Sequence, residues 1–248
     1  MRLRFTLVLV LLATSAGAAA QYTYIVPVAG SAFGFGSQYS TEITAVNPNP
    51  VPATLRYEAF YPTPGPLPCT VRSTQVMLPR SVSNVSAACF QLHAMLLSSD
   101  QPLKLKEIVV GFVRDTSGLM RFQLQPVDIA NDWIAPETDA LIPGVRMLNP
   151  PDKANLILVN PNDFLLSVNL HVERPELRQS ADYIFQVQRR SLLMSPVAQI
   201  PTPVSNEDPV IFSAVHHFTV RANGKFCAGV SNTFSGAPIF IAAIPLQP

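Results

Sequence analysis

STEITAVNPNPVPATLRYEAFYP (Ser40–Pro62) and KANLILVNPNDFLLSVNLHVERP (Lys153–Pro175) are two renderings of one pattern, 113 positions apart. With Asn47-Pro48-Asn49 set over Asn160-Pro161-Asn162, the residues Ile43, Ala45, Leu55, Tyr57 and Ala59 fall on Leu156, Leu158, Val168, Leu170 and Val172. Arg56 and Glu58 separate them in one copy, Asn169 and His171 in the other, so the apolar period is two. Alternation on both sides of a short proline turn predicts a β-hairpin with one buried face. Proline presets φ at the second turn position, and the asparagine before it can bond the backbone that follows.

The agreement reaches both ends of each copy. IVPVAG (Ile25–Gly30) is similar to LIPGVR (Leu141–Arg146), and VGFVRDTSG (Val110–Gly118) matches AGVSNTFSG (Ala228–Gly236) without a gap. The closing strands reach Pro126 and Pro245, and the offset drifts between 113 and 119, as insertions in surface loops produce. The pattern predicts two homologous domains, residues 22–130 and 139–248, joined by a linker over 131–138. Each has about 105 residues, a usual domain size. Short strands, frequent turn signals and little helical periodicity predict an all-β chain of two tandem immunoglobulin-like β-sandwiches related by internal duplication. One segment departs from this. SNVSAACFQLHAMLLSS (Ser83–Ser99) places Val85, Ala88, Cys89, Leu92, Met95 and Leu96 at helical spacing behind a Ser or Asn cap, which predicts a short helix across one end of the first sandwich. Its counterpart, PVAQIPTPVSNEDP, is too rich in proline to be a helix.

The first twenty residues, MRLRFTLVLVLLATSAGAAA, put Arg2 and Arg4 before a short apolar run and end in alanines. That is the layout of a secretory signal peptide cleaved near Ala20, which leads to a secreted or periplasmic mature chain beginning at Gln21. Without Arg2 and Arg4, the seventeen basic residues become fifteen against sixteen acids, a net charge of −1. A near-neutral chain without a basic cluster is a poor partner for nucleic acid or anionic membrane. No later apolar stretch approaches the roughly 20 residues of a spanning helix. In an oxidising compartment Cys69 and Cys89 are expected to form a disulfide, which leaves Cys227 as a buried thiol or an intermolecular bridge.

Candidate chemistry is sparse. The glycine-rich AGSAFGFGS (Ala29–Ser37) lacks the following helix and Lys-Ser/Thr ending of a phosphate cradle and reads as a loop at a sandwich edge. His216 and His217 are adjacent on a predicted strand and point to opposite faces, so they cannot share a metal; His93 and His171 read as structural. No Gly-x-Ser-x-Gly elbow is present, and Cys89 with His93 is excluded as a nucleophilic pair by the expected disulfide. No catalytic residue and no required cofactor is assigned. Asp128, Asp132, Glu137 and Asp139 surround the linker, where they are either solvated acids or oxygen ligands for calcium. Trp133, the single tryptophan, either plugs the seam between domains or anchors a partner. The last strand, PIFIAAIP, is apolar on both faces, so Ile239 and Ile241 are either covered by the neighbouring domain or part of a docking patch.

VPVAGSAFGFGSQYSTEITAVNPNP (Val26–Pro50) joins a proline-ended strand, a glycine-rich stretch, an aromatic before Ser/Thr and an acid, an apolar strand and Asn-Pro. In that order it resembles a module of uncharacterised secreted bacterial proteins built of tandem β-sandwich repeats. In the second half GVRMLNPPD replaces the glycine-rich stretch. The resemblance implies no activity and no site residues. In layout alone, a leader and two sandwiches, the chain is also similar to periplasmic pilus chaperones, without their basic cleft pair. The expectation is a non-catalytic structural, adhesive or binding module of the cell envelope, with protein or glycan as partner. A chaperone for β-rich clients and a hydrolase with a site at the domain junction are the alternatives.

Overall fold

The computed structural model describes residues 21–34, 37–60, 73–86, 93–113, 119–124, 127–128, 133–146, 153–175, 178–200, 215–234 and 237–246. Apart from 3-10 turns at Val197–Gln199 and at Pro175, the regular structure among these residues is β-strand. The first half contributes β1 (Tyr22–Ala29), β2 (Ser31–Gly34), β3 (Ser37–Asn47), β4 (Ala53–Phe60), β5 (Ser73–Met77), β6 (Ser81–Ser86), β7 (His93–Ser99), β8 (Lys104–Val113), β9 (Leu119–Leu124) and β10 (Val127–Asp128). The second contributes β11 (Ala140–Arg146), β12 (Lys153–Asn160), β13 (Leu166–Arg174), β14 (Gln179–Val187), β15 (Ser191–Pro196), β16 (Val215–Ala222), β17 (Cys227–Phe234), β18 (Ala237–Ala242) and β19 (Ile244–Pro245).

All pairing is antiparallel, in four sheets. The order β10-β1-β7-β4-β5 in the first half is met again as β19-β11-β16-β13-β14 in the second. Likewise β3, flanked by β6 and by β8-β9, corresponds to β12, flanked by β15 and by β17-β18. Each half closes its own core between its two sheets: Val26, Ile43, Leu55, Met77 and Leu97 are among the buried residues of one, Ile142, Leu156, Val168, Phe218 and Val230 of the other. A break in register recurs as well, between Val26 and Ala29 on β1 and between Ile142 and Val145 on β11. Pro27 and Pro143 sit in these breaks, where the missing N–H cannot serve a ladder.

The repeated Asn-Pro turns are arches rather than hairpins, which corrects the sequence expectation. β3 and β4 lie in opposite sheets, as do β12 and β13, and each pair straddles the core. Alternation reports that one face of a strand is buried and is the same whether the next strand lies beside it or across the core. The arch is held by its asparagine. Asn47, with no exposed surface, donates from Nδ2 to the carbonyls of Val51 (2.9 Å) and Leu78 (3.0 Å) and accepts the Asn49 N–H at Oδ1 (3.1 Å). Asn160 donates to Phe164 O (2.8 Å), Val187 O (3.0 Å) and Gln188 O (3.0 Å) and accepts the Asn162 N–H (2.8 Å). One side chain thus closes the turn and ties it to the bend where β5 passes to β6, or β14 to β15. That bend contains Arg80 (φ 51) or Arg190 (φ 47), whose N–H bonds the Asn49 or Asn162 carbonyl.

Three further expectations change. The helix over Ser83–Ser99 is absent from its described ends, because Ser83–Ser86 belong to β6 and His93–Ser99 to β7, while residues 87–92 lie outside the described set. β7 runs between β1 and β4 and is covered on both faces, so its apolar residues lack the alternation that marks a strand. The glycine-rich stretch is a tight hairpin in place of a loop: Gly30 (φ 107) turns the chain from β1 into β2, which pairs with β3 from Ser31↔Ser40 to Gly34↔Ser37. Finally, the ladders set Ile43 opposite Glu107 and Leu156 opposite Val230, so β8 and β17 correspond at an offset of 123 where the gapless match has 118.

Candidate functional site

A third apolar cluster joins the two halves. From the outer face of the first half's β1-β7-β4 it takes Ile25, Phe60 and Ala94, with Leu96 partly buried. From the outer face of the second half's β15-β12-β17-β18 it takes Ile157, Val159, Leu192 and Cys227, with Met194 and Phe240 at its margin. Trp133 packs into the same cluster at 9% exposure, with no hydrogen-bond partner for its indole N–H among the described residues. β12 therefore reads as a continuous apolar run because Leu156 and Leu158 face their own core and Ile157 and Val159 face the neighbouring half.

Arg190 clasps the rim of this seam. Its Nη2 donates to Glu58 Oε2 (2.7 Å), Nη1 reaches Asp163 Oδ1 (3.3 Å), and the guanidinium lies 5.2 Å from the centroid of Phe60. Side chains a third exposed hold such a pair by about 1 kcal/mol at most, so Arg190 orients Glu58 more than it stabilises the fold.

Where the seam ends, the outer face of the first half opens into a cavity of about 430 Å³ lined by Gln21, Arg56, Tyr57, Glu58, Thr74, Leu96 and Ser98. Arg56 is set between Thr74 of β5 and Ser98 of β7 by register, and Glu58 and Phe60 follow it on the same face of β4. Seam and groove are therefore two ends of one sheet face, apolar where the second half covers it and polar where it does not. At the matching positions of β13 the second half carries Asn169, His171 and Glu173, which are exposed or half-buried. There His171 Nδ1 meets Asp182 Oδ1 at 2.7 Å, while on the core-facing side of β14 partial burial, then the Asp182 charge, holds the Tyr183 phenol above its ordinary pKa.

The linker acids separate. Glu137 Oε2 accepts from Arg221 Nε (2.9 Å) and Asp139 Oδ1 is 3.9 Å from Arg221 Nη1, so both face a resident cation. The backbone of Asp128 pairs with Tyr24 in β10, and Asp132 lies outside the described residues. No three His, Cys, Asp or Glu side chains among the described residues converge as a metal site would require. Cys69 and Cys89 also lie outside the described residues. Cys227 is a free, buried thiol, and desolvation pushes its pKa up to about 12. His216 is buried, and His217 is only partly covered on the other face of β16. Ile239 stands opposite Asn232 on β18, and Ile241 packs against the core of its own half. No helix among the described residues is long and apolar enough to cross a membrane.

Arg56, Thr74, Ser98 and Arg190 carry no motif and were not singled out by the sequence. The available signal was Phe60, an apolar residue in the polar phase of β4, which marks a second buried face with Arg56 and Glu58 beside it. Comparison with known proteins gives no match to a family model, a curated sequence or a solved structure.

Proposed function

We propose that the chain is a non-catalytic binding module of the cell envelope: two tandem immunoglobulin-like β-sandwiches, residues 22–130 and 139–248, descended from one by duplication. It is exported by residues 1–20, cleaved near Ala20 and bridged by Cys69–Cys89. The repeated sheet orders, register breaks and asparagine anchors support the duplication. In the immunoglobulin plan, B and E share one sheet and C and F the other. β3 with β6 and β4 with β7 fit those places, while β1 lies beside β7 and β8 beside β3.

The observation that carries the binding role is the groove at the mouth of the seam. It places a cation, a carboxylate, hydroxyls and an amide on one sheet face, with no nucleophile–base pair among the described residues that line it. The test is binding of residues 21–248 to immobilised envelope polysaccharides and envelope proteins. Retention on at least one ligand, lost with Arg56→Ala, is expected; no retention on any overturns the proposal. A second role, capture of a β-rich client by strand addition, is favoured by β14, a nine-residue strand at the end of its sheet with Ile184 69% exposed. Pairing of a client on β14 would leave Arg56→Ala without effect.

A further inference from the structure

Arg56 is the unbalanced charge of the groove. It makes no hydrogen bond or ion pair with the described residues, although Glu58 lies two positions along the same face, because Arg190 of the other half already engages that carboxylate at 2.7 Å. Removing either Glu58 or Arg190 from this arrangement would change the field at Arg56, and the two together leave it cationic. We propose that the groove binds an acidic oligosaccharide, with Arg56 holding the carboxylate of a uronic acid residue; the proposal rests on the binding-module function above and names its ligand class.

Guanidinium suits a carboxylate because its planar fork offers two parallel N–H donors. The neighbours suit the rest of a sugar. Thr74 and Ser98 flank Arg56 across β5 and β7 and offer hydroxyls, and Gln21 adds an amide, groups that match sugar hydroxyls. A volume of about 430 Å³ falls within the roughly 300–1,000 Å³ usual for small-ligand sites. An acidic peptide fits less well. A peptide joins a sheet through an unpaired backbone edge, whereas Arg56, Tyr57, Glu58, Leu96 and Ser98 line the groove from β4 and β7, interior strands, and the edge strand β5 contributes Thr74 alone. The scaffold does not require this cation: the matching position in the second half is Asn169, between Ile184 and an Arg221 engaged by Glu137.

The test is calorimetric titration of residues 21–248 with trigalacturonate, its fully methyl-esterified form and triglutamate. Trigalacturonate should bind, weaken as salt is raised and lose at least tenfold in affinity with Arg56→Ala. Arg56→Lys should lose less, since it keeps the charge without the fork. Arg56 is exposed, so both variants should fold, which circular dichroism checks. Equal binding of the methyl ester overturns the carboxylate role while leaving a glycan-binding module in place. Preference for triglutamate overturns the sugar and points to acidic protein. Absence of binding by all three overturns the inference, and the array of envelope ligands then decides the module's function separately.

Discussion

Replacing Asn160 by alanine tests the structural logic of the repeat most sharply. The substitution strands the carbonyls of Phe164, Val187 and Gln188 and the N–H of Asn162. The bond to Val187 is fully buried, and an orphaned buried carbonyl costs about 1–3 kcal/mol. The other three are partly buried, so water replaces them in part and each loss is about 0.5–1 kcal/mol. The total is about 2.5–6 kcal/mol, a large share of the roughly 5–15 kcal/mol that holds a domain. Asn47→Ala breaks two Nδ2 bonds to carbonyls and the bond from the Asn49 N–H, all partly buried, and should cost about 1.5–3 kcal/mol. Asn162→Ala, whose amide reaches only Asn160 Oδ1 and the exposed Lys225 carbonyl, should cost about 1 kcal/mol. Urea denaturation followed by circular dichroism measures all three. A cost for Asn160→Ala no greater than for Asn162→Ala would refute the anchoring role.

Gly229→Ala should destabilise the second half by about 1–3 kcal/mol in the same assay. The added Cβ would stand 2.7 Å from the Ile241 carbonyl and collide with the Phe240 ring. Cys227 should resist thiol reagents in native protein at neutral pH and react on unfolding, because burial keeps it a thiol. Its raised pKa also sets a sign. The folded state keeps a proton that the unfolded chain releases near 9, so stability falls between pH 9 and about 12, and Cys227→Ser should lessen that fall in alkaline denaturation. Arg190→Ala should cost about 1 kcal/mol or less in denaturation, since the pair it breaks is partly solvated, yet weaken or strengthen ligand binding in the groove by removing a cation beside Glu58.

Much of this architecture was legible in the letters. The double Asn-Pro phrase and its flanking alternation located β3, β4, β12 and β13 and the inward residues of each. What alternation could not convey was neighbourhood, which is why the arches looked like hairpins. β7 was misread for a related reason: a strand covered on both faces carries no period of two, so Met95 and Leu96 could be fitted to a helix. Nor could local spacing show that Asn160 reaches across to Val187 and Gln188, a link that exists only once the two sheets face each other. The groove was hidden more deeply. Arg56, Thr74 and Ser98 are ordinary outward residues until register sets them side by side, and the Arg190 that engages Glu58 arrives from the other half.

The seam underlies the whole account, and Trp133, the only tryptophan of the chain, sits within it. Its fluorescence in residues 21–248 is the most direct test, measured with acrylamide quenching and repeated in Phe60→Glu, which installs the acid that the second half carries at Glu173. A packed seam predicts blue-shifted, poorly quenched emission that moves to the red in Phe60→Glu while the far-ultraviolet spectrum stays that of a β protein. Emission from a water-exposed indole in the unaltered chain, or emission indifferent to Phe60→Glu, would contradict it.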